Sequence, residues 1–207
     1  MADNRSPELF GQTPWQTLGP FFHYALPWKG GADLVGASDL GARAELMPPE
    51  HDLLHASGSR GPIAGEVIEI AGQVLDGAGE PLPDALVEIW QADAEGDYGS
   101  AFEGFGRAAT GEDGGFRFRT LRPGRVPGPG NSLQAAHIAV GVLGRGIIKR
   151  LVTRLYFEGD GGLDEDPVLA LVPAARRPTL IAQRSGEAAW RFDIRLQGEH
   201  ETVFFDV

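Results

Sequence analysis

Residues 131–142, NSLQAAHIAVGV, contain the side chain with the most suggestive chemistry, His137. The run HIAVGV is typical of a buried strand, and side chains two apart in a strand point to the same face, so His137 shares a face with Ala139. A histidine that opens a strand is well placed to bind a metal, but a metal site usually needs a second ligand, and position 139 offers a methyl group. A lone histidine at the head of an apolar strand is more often a hydrogen-bonded core residue.

The other possible ligands form no metal pattern of their own. His23 lies in an aromatic N-terminal segment, and His200 lies beside the last strand. His51 and His55 are the two ends of HDLLH in a polar loop, where a solvated role is favoured over a metal site. Tyr98 ends WQADAEGDY, in which a strand and a tight turn could aim the phenol back across a sheet; alone, it reads as an ordinary surface tyrosine. The sequence contains no Ser/His/Asp set, P-loop or glycine-rich dinucleotide fingerprint.

Composition limits the class of protein that could position these residues. The chain has 207 residues, 42% of them hydrophobic, with 30 glycines and 15 prolines, which favours one turn-rich domain with few long helices. Its formal net charge of −11 argues against nucleic acid or an anionic membrane as a partner. There is no cysteine, no apolar N-terminal run of signal-peptide length and no apolar segment of membrane-spanning length, so we expect a soluble, cytoplasmic protein.

From Glu66 onward the sequence alternates as β-strands do. EVIEIAGQVLD places Ile68, Ile70 and Val74 on one face, and further short strands follow, separated by turn residues. WRFDIRLQGE predicts a continuous strand with four inward side chains, which are Trp190, Phe192, Ile194 and Leu196. The pattern predicts an all-β, antiparallel β-sandwich with long loops.

One or two short helices are also expected. DEDPVLALV predicts one, with Asp164 or Asp166 as its N-cap and Pro167 in its first turn, and RPTLIAQR could form a second. Residues 1–62 show no sustained periodicity, although TPWQTLGPFFHYALPW is dense in aromatic side chains. We therefore predict an extended arm with loops over residues 1–62, packed on this domain or on a partner subunit, and a sandwich domain over residues 63–207.

Several segments, in the same order from Thr13 to Val207, resemble the intradiol ring-cleavage dioxygenases. They are TPWQTLGPFF, LVEIWQADAEGDY, GFRFRTLRPG, AAHIAV, TRLYFEGD and RFDIRLQGEHETVFF; the match is weakest over residues 29–61. The resemblance implies an antiparallel sandwich that cleaves a catechol ring between its two hydroxyls with O2, in aromatic catabolism. It also implies non-haem Fe(III) held by two tyrosines and two histidines, because phenolate oxygens stabilise the ferric state and imidazoles complete the shell.

Only two of the family's four ligands match in this sequence. Tyr98 matches the first tyrosine, but Val126 in PGRV stands where the second tyrosine should be. His137 matches the first histidine, but Ala139 replaces the second, and Gln134 replaces a supporting arginine. These four ligand positions, Tyr98, Val126, His137 and Ala139, are thus expected to be a vestigial metal site that binds no iron.

The resemblance further implies a hetero-oligomer in which an iron-bearing beta subunit of the same fold holds Fe(III) and does the chemistry, while this chain alone is inactive. The arm of this chain would help to line the partner's substrate pocket with four residues, namely Thr17, Gly19, Pro20 and Phe21. Arg145 in VLGRGI would lie near the carboxylate of a small aromatic substrate, since its planar fork suits bidentate binding of a carboxylate. Without the resemblance, Arg145 would be read as a solvated loop charge.

Two other readings remain open from the sequence. The chain could be a self-sufficient intradiol enzyme that takes its missing ligands from elsewhere, such as Tyr156 or His200. It could also be a non-enzymatic, transthyretin-like β-sandwich that binds a partner or ligand and shares only the fold, since fold does not fix function.

Overall fold

The computed structural model describes residues 31–36, 38, 40 and 63–206, and these fold around one large β-sheet. The strands are β1 (Val67–Leu75), β2 (Ala85–Trp90), β3 (Phe105–Ala109), β4 (Gly115–Leu121), β5 (Val126–Pro127), β6 (Leu133–Gln134), β7 (His137–Gly144), β8 (Leu151–Phe157), β9 (Ile181–Arg184), β10 (Ala189–Arg191) and β11 (Ile194–Arg195). In the large sheet the order is β11-β1-β10-β9-β8-β7-β2-β3, β4 adds beside β1, and β5 and β6 pair separately. Most pairs are antiparallel, except β1 with β10 and β11 and β8 with β9, so the predicted fold class is confirmed.

Alternating apolar side chains make this sheet close over its own core as a sandwich. Ile68, Ile70 and Val74 of β1 are all buried on one face, as predicted, and they belong to the same cluster as Ile138 and Val140 of β7. Full burial of an aliphatic side chain contributes roughly 1.5–3 kcal/mol relative to exposure, so this inner face dominates the stability of the fold.

The opposite face of β2, β3, β7 and β8, called here the outer face, is only partly covered. A second, smaller cluster packs against its β8 edge and consists of five buried residues, which are Ala135, Tyr156, Leu169, Val172 and Leu180. The segment between β8 and β9 supplies three of these residues. The outer face is therefore covered at its β8 edge, whereas Trp90 of β2 on the same face is 46% exposed.

The segment predicted to form one helix forms two separate 3₁₀ turns, Leu163–Glu165 and Leu169–Leu171, and a third turn follows at Arg177–Leu180. Asp166 and Val172 are extended, with ψ of 118° and 129°, and each precedes a proline, which disfavours the helical region for the residue before it. Within the described residues, no helix has the length and apolar composition needed to cross a membrane.

The late strand is also broken where a continuous one was predicted. Its buried face is as predicted for Trp190, Phe192 and Ile194, but β10 ends at Arg191 and β11 begins at Ile194. At the break, Phe192 N–H donates to Ala71 O at 2.9 Å, and the carboxylate of Asp193 accepts from Gln73 N–H at 3.0 Å. A side-chain acceptor thus replaces one backbone acceptor of the sheet.

The short N-terminal segment that the structure describes packs on this chain's own sheet. Leu34 N–H donates to Arg119 O and Arg119 N–H to Ala32 O, both at 2.8 Å, and Ala32 and Leu34 are buried in the main core. The buried carboxylate of Asp33 accepts from the hydroxyl of Ser38 at 2.6 Å and pairs with Arg119 at 3.2 Å. Most of residues 1–62 lies outside the described residues, so the division into an arm and a domain stays a prediction.

Candidate functional site

Three of the four ligand positions, Tyr98, His137 and Ala139, lie on the outer face or against it, and Val126 lies in the separate β5–β6 pair. The register of the sheet places Phe105, Trp90, Ala139 and Arg154 in one row across β3, β2, β7 and β8. Residues paired directly across strands share a face, so Ala139 lies between Trp90 and Arg154. His137, two residues earlier on β7, belongs to the same face.

Tyr98 is held against this face by the turn that follows β2. The Asp93 carboxylate accepts from Glu95 N–H at 3.0 Å and Asp97 N–H at 2.8 Å, which reverses the chain just before the tyrosine. The phenol ring then stacks on Trp90, with ring centroids 5.8 Å apart and planes 12° apart, and remains 43% exposed. Partial burial raises the pKa of Tyr98 above its usual range, and the positive charge of Arg154 opposes that rise in part.

His137 is nearly buried, with 5% exposure, and lies opposite Tyr156 in the register. Its Nδ1 lies 2.8 Å from Ala135 O, so the neutral ring carries its proton on Nδ1 and donates it to that carbonyl. Burial lowers the pKa of His137, and the charge of Arg154 lowers it further. The imidazole is therefore neutral at pH 7, with Nε2 as its lone-pair nitrogen, which is how a metal-binding histidine is commonly oriented.

A buried carboxylate fixes the backbone on which His137 depends. Asp166 is fully buried and accepts four hydrogen bonds: from Ala135 N–H at 2.8 Å, Val168 N–H at 2.9 Å, Leu169 N–H at 2.7 Å and the Tyr156 hydroxyl at 3.1 Å. Asp166 therefore ties the strand entrance at residue 135 to the turn after β8. Burial raises the pKa of Tyr156 to about 12, so its hydroxyl keeps its proton and donates it to Asp166.

Arg154 lies among these residues, and the sequence analysis did not single it out. Its Nη1 donates to Gln134 Oε1 at 2.8 Å and to the Tyr156 hydroxyl at 3.3 Å. Its charge acts on both Tyr98 and His137 through their pKa values. The only sequence signal was an arginine at an alternating position of LVTRLYF; its pairing with Ala139 depends on the register of β7 and β8.

The residues at the four ligand positions do not fit a ferric ion. Val126 is buried opposite Gln134 in the small β5–β6 pair, and neither Val126 nor Ala139 has a lone pair to donate. Arg154 already places a positive charge near Tyr98 and His137. Among the described residues, no three histidine, aspartate or glutamate side chains come together as a metal site. The side chains at these positions therefore supply at most two of the four expected donors, Tyr98 and His137.

The alternative ligands do not complete the set. The Tyr156 hydroxyl is engaged by Asp166 and Arg154, and its raised pKa keeps it a phenol. His200 is almost fully exposed beside Glu199, outside both buried clusters. His23, His51 and His55 lie outside the described residues.

Arg145 lies away from this site, in the turn after β7. Eight residues separate it from His137, which corresponds to roughly 25 Å of strand. Its side chain is 65% exposed, and Nε pairs with Asp84 at 3.0 Å. Arg145 therefore does not belong to the vestigial site, and its expected role concerns a pocket outside this chain. The four residues Thr17, Gly19, Pro20 and Phe21 lie outside the described residues, so their role stays a prediction.

This chain is similar to known proteins over nearly its whole length. A protein-family model described as dioxygenase matches residues 42–198. The chain is 40% identical, over 212 residues, to the protocatechuate 3,4-dioxygenase alpha chain of Burkholderia cepacia, which covers 95% of this chain and 98% of that one. It is 37% identical, over 191 residues, to the protocatechuate 3,4-dioxygenase beta chain of the same species, which covers 83% of this chain and 79% of that one.

Among solved structures, the chain is similar to the dioxygenase domain of a dioxygenase carbohydrate-binding protein fusion from Streptomyces sp. SirexAA-E. The TM-score is 0.59 at 28% identity, with 90% of this chain and 98% of that chain covered. The structural similarity thus covers 90% of this chain, and the sequence similarity to the alpha chain covers 95%.

Proposed function

Because the chain belongs to the intradiol dioxygenase family, we propose that it is the alpha subunit of a protocatechuate 3,4-dioxygenase. The complex cleaves the ring of protocatechuate between its two hydroxyls with O2, giving 3-carboxy-cis,cis-muconate. An iron-bearing beta subunit of the same fold holds Fe(III), and this chain binds none. The observation that carries the proposal is the incomplete ligand set: a valine and an alanine at two of the four ligand positions, in a chain that otherwise matches an alpha chain along its length.

We assign this chain the task of shaping the partner's substrate pocket. Arg145 supports this assignment because its side chain is 65% exposed, although its Nε pairs with Asp84 at 3.0 Å. A guanidinium never loses its charge and binds a carboxylate through two parallel hydrogen bonds. The arm residues Thr17, Gly19, Pro20 and Phe21 would supply the pocket wall beside it.

The partnership also gives the N-terminal aromatic residues a place to be buried. An obligate interface is more apolar than an ordinary protein surface, so it suits a segment with many aromatic side chains and no strand pattern. We further propose that the αβ units assemble in the cytoplasm, in keeping with a chain that contains no cysteine.

The proposal is tested by measuring iron and visible absorption in the chain purified alone and in the chain co-purified with an iron-bearing beta subunit. Tyrosinate bound to Fe(III) gives a strong charge-transfer colour, so colour and ring cleavage are expected in the complex alone. Colour in the isolated chain would contradict the proposal in favour of a self-sufficient enzyme. Absence of colour and of stable association in the mixture would favour a binding module.

A further inference from the structure

We infer that Arg154 takes the place of the metal in this chain and keeps the vestigial site free of metal. The inference rests on the proposed function in one respect, namely that this chain is the iron-free member of its complex. It goes beyond the loss of two ligands, because it assigns the exclusion of metal to a side chain that is present.

The position of Arg154 in the sheet supports this assignment. Arg154 pairs across β7–β8 with Ala139, the position of one missing ligand, so the two side chains lie next to each other on the outer face. The shortest side-chain hydrogen bond of Arg154, at 2.8 Å, goes to Gln134, the residue opposite the other missing ligand position, Val126. Arg154 thus lies beside one vacated ligand position and is bonded to the residue opposite the other.

The remaining two ligand positions lie on the same outer face of the sheet or against it. His137 is two residues from Ala139 on β7, and Tyr98 stacks on Trp90, which pairs with Ala139 from the other side. The charge of Arg154 acts on both side chains. Arg154 therefore places a positive charge on the face that carries Ala139 and His137, and this charge acts on both remaining ligand side chains.

The chemistry of a guanidinium suits exclusion of a metal. It carries five N–H donors and no acceptor, and it cannot be deprotonated in a protein, so it offers a metal no lone pair. It repels a second cation, and in a partly buried site this repulsion is only weakly screened by salt. It also donates hydrogen bonds to the side-chain oxygens of Gln134 and Tyr156.

A comparison of ligand-restored variants tests the inference. Val126→Tyr with Ala139→His restores the missing donors, and the same pair is combined with Arg154→Met, which keeps the length of the side chain and removes the charge. Each variant is co-produced with the beta subunit, and the ferric iron and the tyrosinate absorption are read as the difference from the native chain prepared in the same way. Iron that a partner holds cancels in this difference, so failure of the proposed function does not alter the readout.

We expect the variant that lacks Arg154 to bind ferric iron at least about tenfold more tightly than the variant that keeps it, since the repulsion between cations is removed. A matched control replaces Arg150, a cation just before β8 that pairs with Glu88 at 2.9 Å, by methionine in the ligand-restored chain. The control should behave like the chain that keeps Arg154. Equal iron binding with and without Arg154, including no binding in either, would overturn the inference.

A lighter pair of variants covers the case in which Val126→Tyr disrupts the buried β5–β6 pair. Ala139→His alone and Ala139→His with Arg154→Met are titrated with Co(II), whose visible bands report binding to His137 and the new histidine. Tighter Co(II) binding after loss of Arg154 supports the inference, and identical titrations overturn it.

Discussion

At its first residue, strand β7 holds His137 at 5% exposure in a network of hydrogen bonds, whereas the turn after its last residue holds Arg145 at 65% side-chain exposure in an ion pair with Asp84. The first end resembles an active site and lacks the donors for one. The second end resembles an ordinary surface turn and is the end to which we assign a role in substrate binding. Under the proposed function, burial and ordered hydrogen bonds mark what this chain shares with its family, and not where it acts.

The difference follows from what each end must do. Ala135, Tyr156 and Asp166 form a fully buried hydrogen-bond network at the His137 end, and a buried network is costly to leave half satisfied. At the other end, a carboxylate ligand from outside can reach Arg145 only if its side chain remains accessible. The His137 end of β7 is thus expected to contribute to stability, and the Arg145 end to substrate binding.

The largest effect is expected from Asp166→Ala, which tests the buried end. The substitution leaves four donors without their acceptor, among them Ala135 N–H and the Tyr156 hydroxyl. We expect a loss of about 3 kcal/mol or more in the free energy of unfolding, measured by denaturant titration. Asp164→Ala, an exposed carboxylate two residues earlier, is the matched control and should change it by less than about 0.5 kcal/mol. Similar losses in the two variants would show that the buried network does not stabilise this end.

The next effect tests the exposed end, in the assembled enzyme. Arg145→Ala removes the proposed partner of the substrate carboxylate, and we expect KM for a carboxylated catechol to rise by about tenfold to a hundredfold, while KM for plain catechol stays within about twofold. Stability should change by less than about 1 kcal/mol, because the ion pair with Asp84 is largely exposed on the arginine side.

Lys149→Ala is the control for Arg145, since Lys149 is an exposed cation in the same β7–β8 connection and pairs with Asp206. It should leave both KM values unchanged. An equal rise of KM for both substrates in the Arg145 variant would contradict a role in recognising the carboxylate.

The inner face of the sheet was predictable from sequence because burial there repeats every second residue. Ile68, Ile70 and Val74 are buried as their alternation indicated, and the strand at His137 begins where its apolar run begins. Such a pattern is local, so it can be read without knowing which strands are neighbours.

The side chains that meet on the outer face could not be predicted from such a local pattern. Arg154 lies fifteen residues from Ala139, and only the register of β7 and β8 brings them together. Asp166 was one of two expected helix caps, with Asp164, and it does accept from Val168 N–H and Leu169 N–H, but Pro167 holds Asp166 extended and no α-helix follows. Its bonds to Ala135 and Tyr156 depend on tertiary contacts that no local pattern encodes.

The smallest effect concerns the pH dependence of the buried end. Burial raises the pKa of Tyr156 from its ordinary value of 10.0 to about 12, so between these values the unfolded chain releases the phenol proton while the folded chain keeps it. The stability that this group contributes is therefore complete below pH 10 and is lost as the pH rises toward 12. Tyr156→Phe removes this dependence, and the stability difference between the native chain and the variant should shrink across that window, by on the order of 1–2 kcal/mol.

Denaturant titrations at several pH values between 9 and 12 measure this difference, because other groups that titrate there act equally in both chains and cancel. Tyr98→Phe is the comparison variant: Tyr98 is 43% exposed, so its own alkaline change should be the smaller of the two. Parallel stability curves for the native chain and Tyr156→Phe would mean that the Tyr156 hydroxyl titrates alike in the folded and unfolded states. The burial of Tyr156 and its hydrogen bond to Asp166 would then make no pH-dependent contribution to the stability of the buried end of β7.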